Sequence, residues 1–103
     1  MDRIEKLKQF LNQSPNEPFL THALALEWIK IGNREEALAC FESNKAHNPE
    51  YVGTYYHLAK LLESLNKNEE AIAVYEAGIA VAHKAADMHA LNELRAALED
   101  LTY

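Results

Sequence analysis

Apolar residues recur at intervals of three and four positions along most of the chain, with polar residues between them. This spacing gathers apolar side chains on one face of a helix, because an α-helix has about 3.6 residues per turn. Six stretches show the pattern, with apolar positions at Ile4, Leu7 and Leu11; Leu20, Ala23, Leu24, Trp28 and Ile31; Ala37, Leu38, Cys40 and Phe41; Tyr55, Leu58, Ala59, Leu62 and Leu65; Ala71, Ile72, Tyr75, Gly78, Ile79 and Ala82; and Met88, Leu91, Leu94, Leu98 and Leu101. The sequence therefore predicts an all-α protein of about six helices.

Short polar segments are expected to separate the middle helices. Gly32 stops the second helix, because glycine accepts the left-handed conformation at a helix end, and Asn33 can cap the helix that follows. Asn48 and Pro49 end that third helix, since proline disfavours helical geometry in the residue before it. The later turn is Asn66-Lys67-Asn68, where asparagine is the next-best residue for the left-handed position.

The chain is similar to itself when it is shifted by 34 residues. The matches are Leu24-Ala25 on Leu58-Ala59, Glu35-Glu36-Ala37 on Glu69-Glu70-Ala71, Ala39 on Ala73, Phe41 on Tyr75, Glu42 on Glu76 and Pro15 on Pro49. A fixed period of this length is the signature of a repeat protein whose units stack on one another. Because Pro15 is in register with Pro49, the N-terminal helix is interpreted as the second helix of a degenerate earlier unit.

This repeat resembles the tetratricopeptide repeat (TPR) family, whose 34-residue helix–turn–helix unit has the pattern W-x2-L-G-x2-Y…A-x3-F…P. The matching residues are Leu24, Ala25, Trp28, Gly32, Ala37, Phe41 and Pro49 in the first unit, and Tyr55, Leu58, Ala59, Ala71, Tyr75 and Gly78 in the second. The departures are Thr21, Asn44, Leu62 and His83. The resemblance implies one domain over residues 1–103, a right-handed superhelix of stacked antiparallel helix pairs. We expect an N-terminal half-repeat at 1–14, repeats at 18–51 and 52–85, and a capping helix at 86–101.

The net charge of the chain limits the classes of partner that it is expected to bind. The 103 residues include 10 Lys and Arg against 16 Asp and Glu, which gives a formal net charge of −6. Nucleic acids and anionic membranes both attract basic surfaces, so the sequence predicts neither as a partner. The first residues lack the apolar run of a signal peptide, and no stretch approaches the roughly 18 apolar residues of a transmembrane helix. A cytoplasmic protein is therefore expected.

Catalytic motifs are missing from the sequence, which has no glycine-rich phosphate loop, G-x-S-x-G, C-x-x-C or H-E-x-x-H. We therefore predict no enzymatic activity and no cofactor. The single cysteine, Cys40, precludes an intramolecular disulfide and is expected to be a buried, inert thiol. The acidic pairs Glu35-Glu36 and Glu69-Glu70 recur at helix starts, where the helix dipole favours acids, so a structural role is predicted for them.

Three histidines offer a metal site as a remote alternative function. His22 and His57 lie at nearly equivalent positions of the two units, and His89 on the last helix could join them in a zinc site. No histidine pair has the i, i+3 or i, i+4 spacing that places two ligands on one helix face. The preferred interpretation is that these side chains are polar groove residues, and no metal is predicted.

The resemblance also implies a binding surface, because the first helices of TPR units line a concave groove. That groove would be lined by Phe19, His22, Ala23, Leu26 and Lys30 from the first unit, and by Tyr56, His57, Lys60 and Glu63 from the second. Some TPR proteins grip a C-terminal carboxylate with lysines and asparagines, but His22 and Leu26 occupy positions where that clamp would need them. We expect a scaffold that binds a peptide or protein segment of another chain in this groove. The alternative is a structural homo-oligomer, such as a homodimer, joined through the terminal helices.

Overall fold

The computed structural model describes residues 2–103, which form six α-helices and no β-strand. The helices are α1 (Arg3–Gln13), α2 (Pro18–Lys30), α3 (Arg34–His47), α4 (Gly53–Ser64), α5 (Asn68–Lys84) and α6 (Met88–Thr102). The prediction of an all-α chain with six helices is confirmed. None of the helices within residues 2–103 has the length and apolarity that crossing a membrane would require.

Contacts divide the chain into two compact units, one that ends at Asn48 and one that covers Pro49–Tyr103. In the first unit α2 packs against α1 and α3, and its buried apolar residues are Leu7, Leu24, Ala25, Ala37 and Phe41. In the second unit α5 packs against α4 and α6, around Tyr55, Leu58, Ala59, Leu62, Ala71, Tyr75, Leu91 and Leu94. Most of these buried residues belong to the apolar stripes, the sets of apolar residues at helical spacing that the sequence showed, whereas Ala25, Leu61, Val74 and Ala97 are buried outside them. The repeat boundaries stay a prediction.

Three of the turns close in the same way. The backbone N–H donates to the carbonyl five residues earlier in the pairs Asn33–Trp28, Lys67–Leu62 and Asp87–Ala82. The residue before each donor has a positive φ, and the three are Gly32 at 86°, Asn66 at 62° and Ala86 at 57°. This is the Schellman ending of a helix, which needs one left-handed residue. The left-handed position at Gly32 was predicted from its residue type, and for the Asn66-Lys67-Asn68 turn an asparagine was predicted without a choice between the two.

Helix ends explain two errors in the predicted apolar stripes. Ile31 and Met88 were assigned to them, but their side chains are 63% and 57% exposed. Ile31 is the residue after the last turn of α2, and Met88 is the first residue of α6. A stripe read at helical spacing therefore extends further than the part of the helix that packs against a neighbour.

The capping prediction for α3 is confirmed. Asn33 lies at the N-cap, and its Oδ1 accepts a hydrogen bond from the backbone N–H of Glu36 at 3.1 Å. This bond satisfies one of the backbone donors that a helix start leaves unpaired. The first turn of α3 thus begins where the sequence placed it.

Candidate functional site

The predicted groove residues divide between the two units, with five on α2 and four on α4. On α2 they recur at intervals of one, three and four positions, so Phe19, His22, Ala23, Leu26 and Lys30 share a broad face of that helix. Phe19 is 64% exposed, and Leu26 and Lys30 are also exposed. His22 is only partly exposed, because its ring packs edge-on against the core ring of Phe41, with centroids 5.7 Å apart. The α2 face is therefore a mixed apolar and polar surface with a large aromatic residue at its start.

One exposed apolar residue beside this face was missed from the sequence. Ile29 follows Leu26 by three positions and has an exposed fraction of 38%. Its spacing from Leu26 is the signal that would have found it, because residues three apart lie on the same side of a helix. It adds apolar area at the C-terminal end of α2.

The four predicted residues of α4 are brought together by their helical spacing. The rings of Tyr56 and His57 meet edge to face, with centroids 5.6 Å apart and planes at 88°. Lys60 Nζ lies 5.7 Å from the Tyr56 ring centroid and 3.8 Å from Glu63 Oε2. These contacts link two aromatic rings, one ammonium and one carboxylate along a single face.

Glu63 also has a structural partner that sequence reasoning did not find. The hydroxyl of Tyr75 donates a hydrogen bond to Glu63 Oε2. Tyr75 is fully buried on α5, as the repeat pattern predicted, and its pKa is raised well above 10.0 by burial and then by this bond to a carboxylate. Glu63 therefore ties the α4 face to the core beneath it, in addition to bordering Lys60.

The α4 face continues into a depression that α6 helps to line. Its volume is about 270 Å³. The lining residues are Val52, Gly53, Tyr56, His57, Asp87, Ala90, Glu93 and Leu94. The α6 residues were absent from the predicted groove, which was drawn from two repeats only. Their spacing, 87, 90, 93 and 94, marks one side of a helix and is the signal that could have included them.

Both carboxylates of this lining, Asp87 and Glu93, have defined contacts. Asp87 is the N-cap of α6, and its Oδ1 accepts from the backbone N–H of Ala90 at 3.1 Å. Glu93 Oε2 lies 3.7 Å from His89 Nε2, and both of these side chains are largely open to solvent. Among residues 2–103 no group of three or more histidine, cysteine, aspartate or glutamate side chains is arranged to hold a metal ion. The observed neighbour of His89 is a carboxylate within its own helix.

The Cys40 thiol is half-buried, so the predicted full burial was too strong. Burial raises the pKa of Cys40, and Glu36 adds to the rise, while Lys8 acts in the opposite direction. A raised pKa keeps sulfur in the thiol form, which is the weaker nucleophile. This environment agrees with the inert role expected for Cys40.

Folding stability should respond to the titration of His57. Burial lowers its pKa below the ordinary 6.5, although Glu93 acts to raise it. The unfolded chain then takes up the proton at a higher pH than the folded chain does. Stability should therefore be fully present above about pH 6.5 and fall as the pH drops through and below that value.

The measurement is urea unfolding between about pH 7.5 and pH 5.5, compared for the wild type and His57→Gln. The substitution should flatten the decline. His83→Gln removes an exposed histidine of α5 and serves as the matched control, which should follow the wild type. Identical slopes for the wild type and His57→Gln would contradict the assignment.

Comparisons with known proteins identify the repeat. A family model described as tetratricopeptide repeat matches residues 52–82. The crystal structure of a tetratricopeptide repeat domain protein from Salinibacter ruber is 43% identical, with a TM-score of 0.81 over 84% of this chain and 96% of that one. A solution structure of a tetratricopeptide repeat domain protein from the same organism is 44% identical and covers 84% of this chain and 88% of that one, also with a TM-score of 0.81.

A more distant structure shares the fold. The solution structure of a protein from Bordetella parapertussis is 22% identical, with a TM-score of 0.83 over 99% of this chain and 89% of that one. No match was found among the curated proteins. The 34-residue register, the six helices and the identity to the Salinibacter ruber protein lead to one conclusion: this chain belongs to the tetratricopeptide repeat family.

Proposed function

We propose that this protein is a non-catalytic interaction module that binds a peptide or protein segment of another chain. Each unit offers its own binding surface, the α2 face in the first unit and the α4 face in the second. One observation carries the proposal: the rings of Tyr56 and His57, each partly exposed, border a depression whose other walls combine apolar side chains with carboxylates. Amphipathic rings beside a hollow are typical of protein-binding surfaces, because they supply apolar area and a polar tip together.

The α2 face supports the same function with its exposed apolar area. Phe19, Leu26 and Ile29 are exposed by 64%, 36% and 38%. Covering apolar surface with a partner is favourable by about 25 cal/mol for each Å² removed from water. A binding role rather than a catalytic one agrees with the family, which is generally non-enzymatic. The protonated Cys40 thiol agrees with it too.

Selection of peptides tests the proposal without a known partner. A random peptide library displayed on phage is selected on the immobilised protein, and enriched peptides are synthesised and titrated by fluorescence polarisation. Tyr56→Ala should weaken the binding of these peptides by about tenfold or more, because truncated aromatic anchors cost the most at interfaces. A library that yields no enriched peptide would overturn the proposal.

Tyr103→Ala is the matched control for this titration. It makes the same truncation in the same unit, at a fully exposed residue that does not line the depression. This variant should bind like the wild type. Equal losses in Tyr56→Ala and Tyr103→Ala would contradict a site on α4.

A structural homo-oligomer is the second candidate, and one observation favours it. Phe10 on α1 and Met88 on α6 expose 54% and 57% of their side chains, and both belong to terminal helices. Light scattering over a range of protein concentrations separates the two functions. A stable dimer that is lost in Phe10→Ser would favour assembly, whereas a monomer throughout would remove this candidate.

A further inference from the structure

Negative charge is concentrated in the second unit. From Pro49 to Tyr103 the sequence has nine Asp and Glu against four Lys and Arg, a net charge of −5 out of −6 for the whole chain. A surface of this sign raises the local concentration of cationic partners and speeds their association. The charge therefore indicates the chemistry of the segment that this unit would attract.

The depression places part of that charge beside aromatic rings. Asp87 and Glu93 enter its lining from α6, opposite Tyr56 and His57 from α4, with Val52, Ala90 and Leu94 as apolar wall. Its volume of about 270 Å³ lies just below the roughly 300–1,000 Å³ typical of small-molecule sites. A hollow of this size suits a single long side chain of a partner.

Contacts within the face show that the Tyr56 ring and one neighbouring carboxylate already accommodate a cation. Lys60 Nζ lies over the Tyr56 ring and beside Glu63. Lys60 is also the only Lys or Arg of α4. Nearer α6, the Asp87 carboxylate is held by its bond to the Ala90 N–H, and its second oxygen remains an acceptor by chemistry. Burial lowers the pKa of His57, so a neutral imidazole faces the hollow near about pH 7 and does not repel a cation.

We propose that this depression receives an arginine side chain from a basic segment of a partner protein, with the guanidinium between the rings of Tyr56 and His57 and the carboxylates of Asp87 and Glu93. Arginine fits better than lysine, because its planar guanidinium stacks on aromatic rings and pairs with carboxylates through two parallel bonds. This inference rests on the proposed function, since it names the chemistry of the segment bound on α4.

The phage selection distinguishes failure of the proposed function from failure of the arginine inference. Enriched peptides should contain arginine more often than the unselected library does. A pool enriched in peptides without arginine, including peptides rich in lysine, would overturn the inference and leave the interaction function standing. If no peptide is enriched, the proposed function fails and the inference fails with it.

Charge-neutralising variants test the site itself, with an arginine-containing peptide from the selected pool as probe. Asp87→Asn/Glu93→Gln should weaken its binding by about tenfold, and increased salt should reduce the difference because it screens exposed charges. Asparagine caps a helix as well as aspartate does, so α6 should keep its N-terminus. Circular dichroism and urea unfolding check that the variant is folded.

Glu69→Gln/Glu70→Gln provides the matched control. It removes the same two charges from the same unit, at exposed residues in the first turn of α5 outside the depression. This variant should bind the arginine peptide within about twofold of the wild type, since distant exposed charges are largely screened. Equal losses of binding in the two double variants would show that the effect comes from overall charge, and would overturn the proposed site. Full binding by Asp87→Asn/Glu93→Gln would overturn it as well.

Discussion

Gly78→Ala should destabilise the protein, although alanine is the better helix former. A Cβ at Gly78 would lie 2.5 Å from the Cβ of Tyr55, 3.0 Å from its Cγ and 3.2 Å from Leu94 Cδ1. The Tyr55 Cβ is attached directly to the backbone of α4, so the clash cannot be relieved by rotating a flexible side chain. Helices α4 and α5 would have to move apart within a core that they share with α6.

The two opposing effects differ in size. Forcing an extra methyl into a packed core costs about 1–3 kcal/mol, whereas replacing glycine by alanine inside a helix favours folding by about 1 kcal/mol. We expect a net loss of stability, because a separation of 2.5 Å is far shorter than any contact between non-bonded carbon atoms. Urea unfolding followed by circular dichroism measures the change in the free energy of unfolding.

Ala77→Gly calibrates the helix-propensity part of this comparison. Ala77 is the exposed neighbour of Gly78 on α5, so glycine there should cost about 1 kcal/mol through propensity alone. If Gly78→Ala proves as stable as the wild type or more stable, that result would contradict the close approach of α4 and α5 at this position.

Asn44→Ala should also destabilise the protein, although the TPR pattern has alanine at this position. Asn44 is 1% exposed, and its Nδ2 donates to the backbone oxygen of Pro18 at 3.1 Å. It also accepts at Oδ1 from Asn48 Nδ2 at 3.1 Å, and Asn48 Nδ2 in turn donates to the backbone oxygen of Asn16 at 2.9 Å. The two asparagines bind the end of α3 to the segment that leads into α2.

Removing the Asn44 amide deletes its hydrogen bonds to the Pro18 oxygen and from Asn48 Nδ2, although Asn48 Nδ2 keeps the Asn16 oxygen as a partner. The expected loss is about 1–3 kcal/mol in the free energy of unfolding, since each of the two lost hydrogen bonds contributes about 0.5–1.5 kcal/mol. Asn92→Ala is the control, because Asn92 is exposed within α6 and alanine there should favour the helix slightly. A gain in stability for Asn44→Ala, comparable with that for Asn92→Ala, would contradict the role given to Asn44.

Local sequence patterns predicted the helices and the turns that depend on one residue type. Gly32 has the positive φ expected of it, one of the two asparagines of the later turn, Asn66, takes the left-handed conformation, and Asn33 caps α3. Ala86 takes the same left-handed conformation in the last turn, and its residue type gave no sign of it, because a Cβ makes that conformation unfavourable. Sequence patterns therefore predict a backbone conformation where the residue type itself favours that conformation.

Contacts between helices were harder to predict. The bond from Tyr75 to Glu63 joins residues 12 positions apart, and the aromatic slot of the repeat pattern says nothing about where a hydroxyl will reach. Asp87 and Glu93 were missed because the predicted groove stopped at the second repeat, whereas α6 contacts α4 and extends the lining. The shared groove of the α2 and α4 faces stays a prediction, since it depends on more than either helix alone.

A nuclear magnetic resonance titration tests the central claim, that the α4 face binds a segment of a partner. Isotope-labelled protein is titrated with an arginine-containing peptide from the phage selection, and amide shifts are followed in two-dimensional spectra. We predict saturable shifts centred on Tyr56, His57, Ala90 and Glu93. Shifts confined to the exposed side of α5, around Glu76 and His83, with none on α4, would contradict the claim.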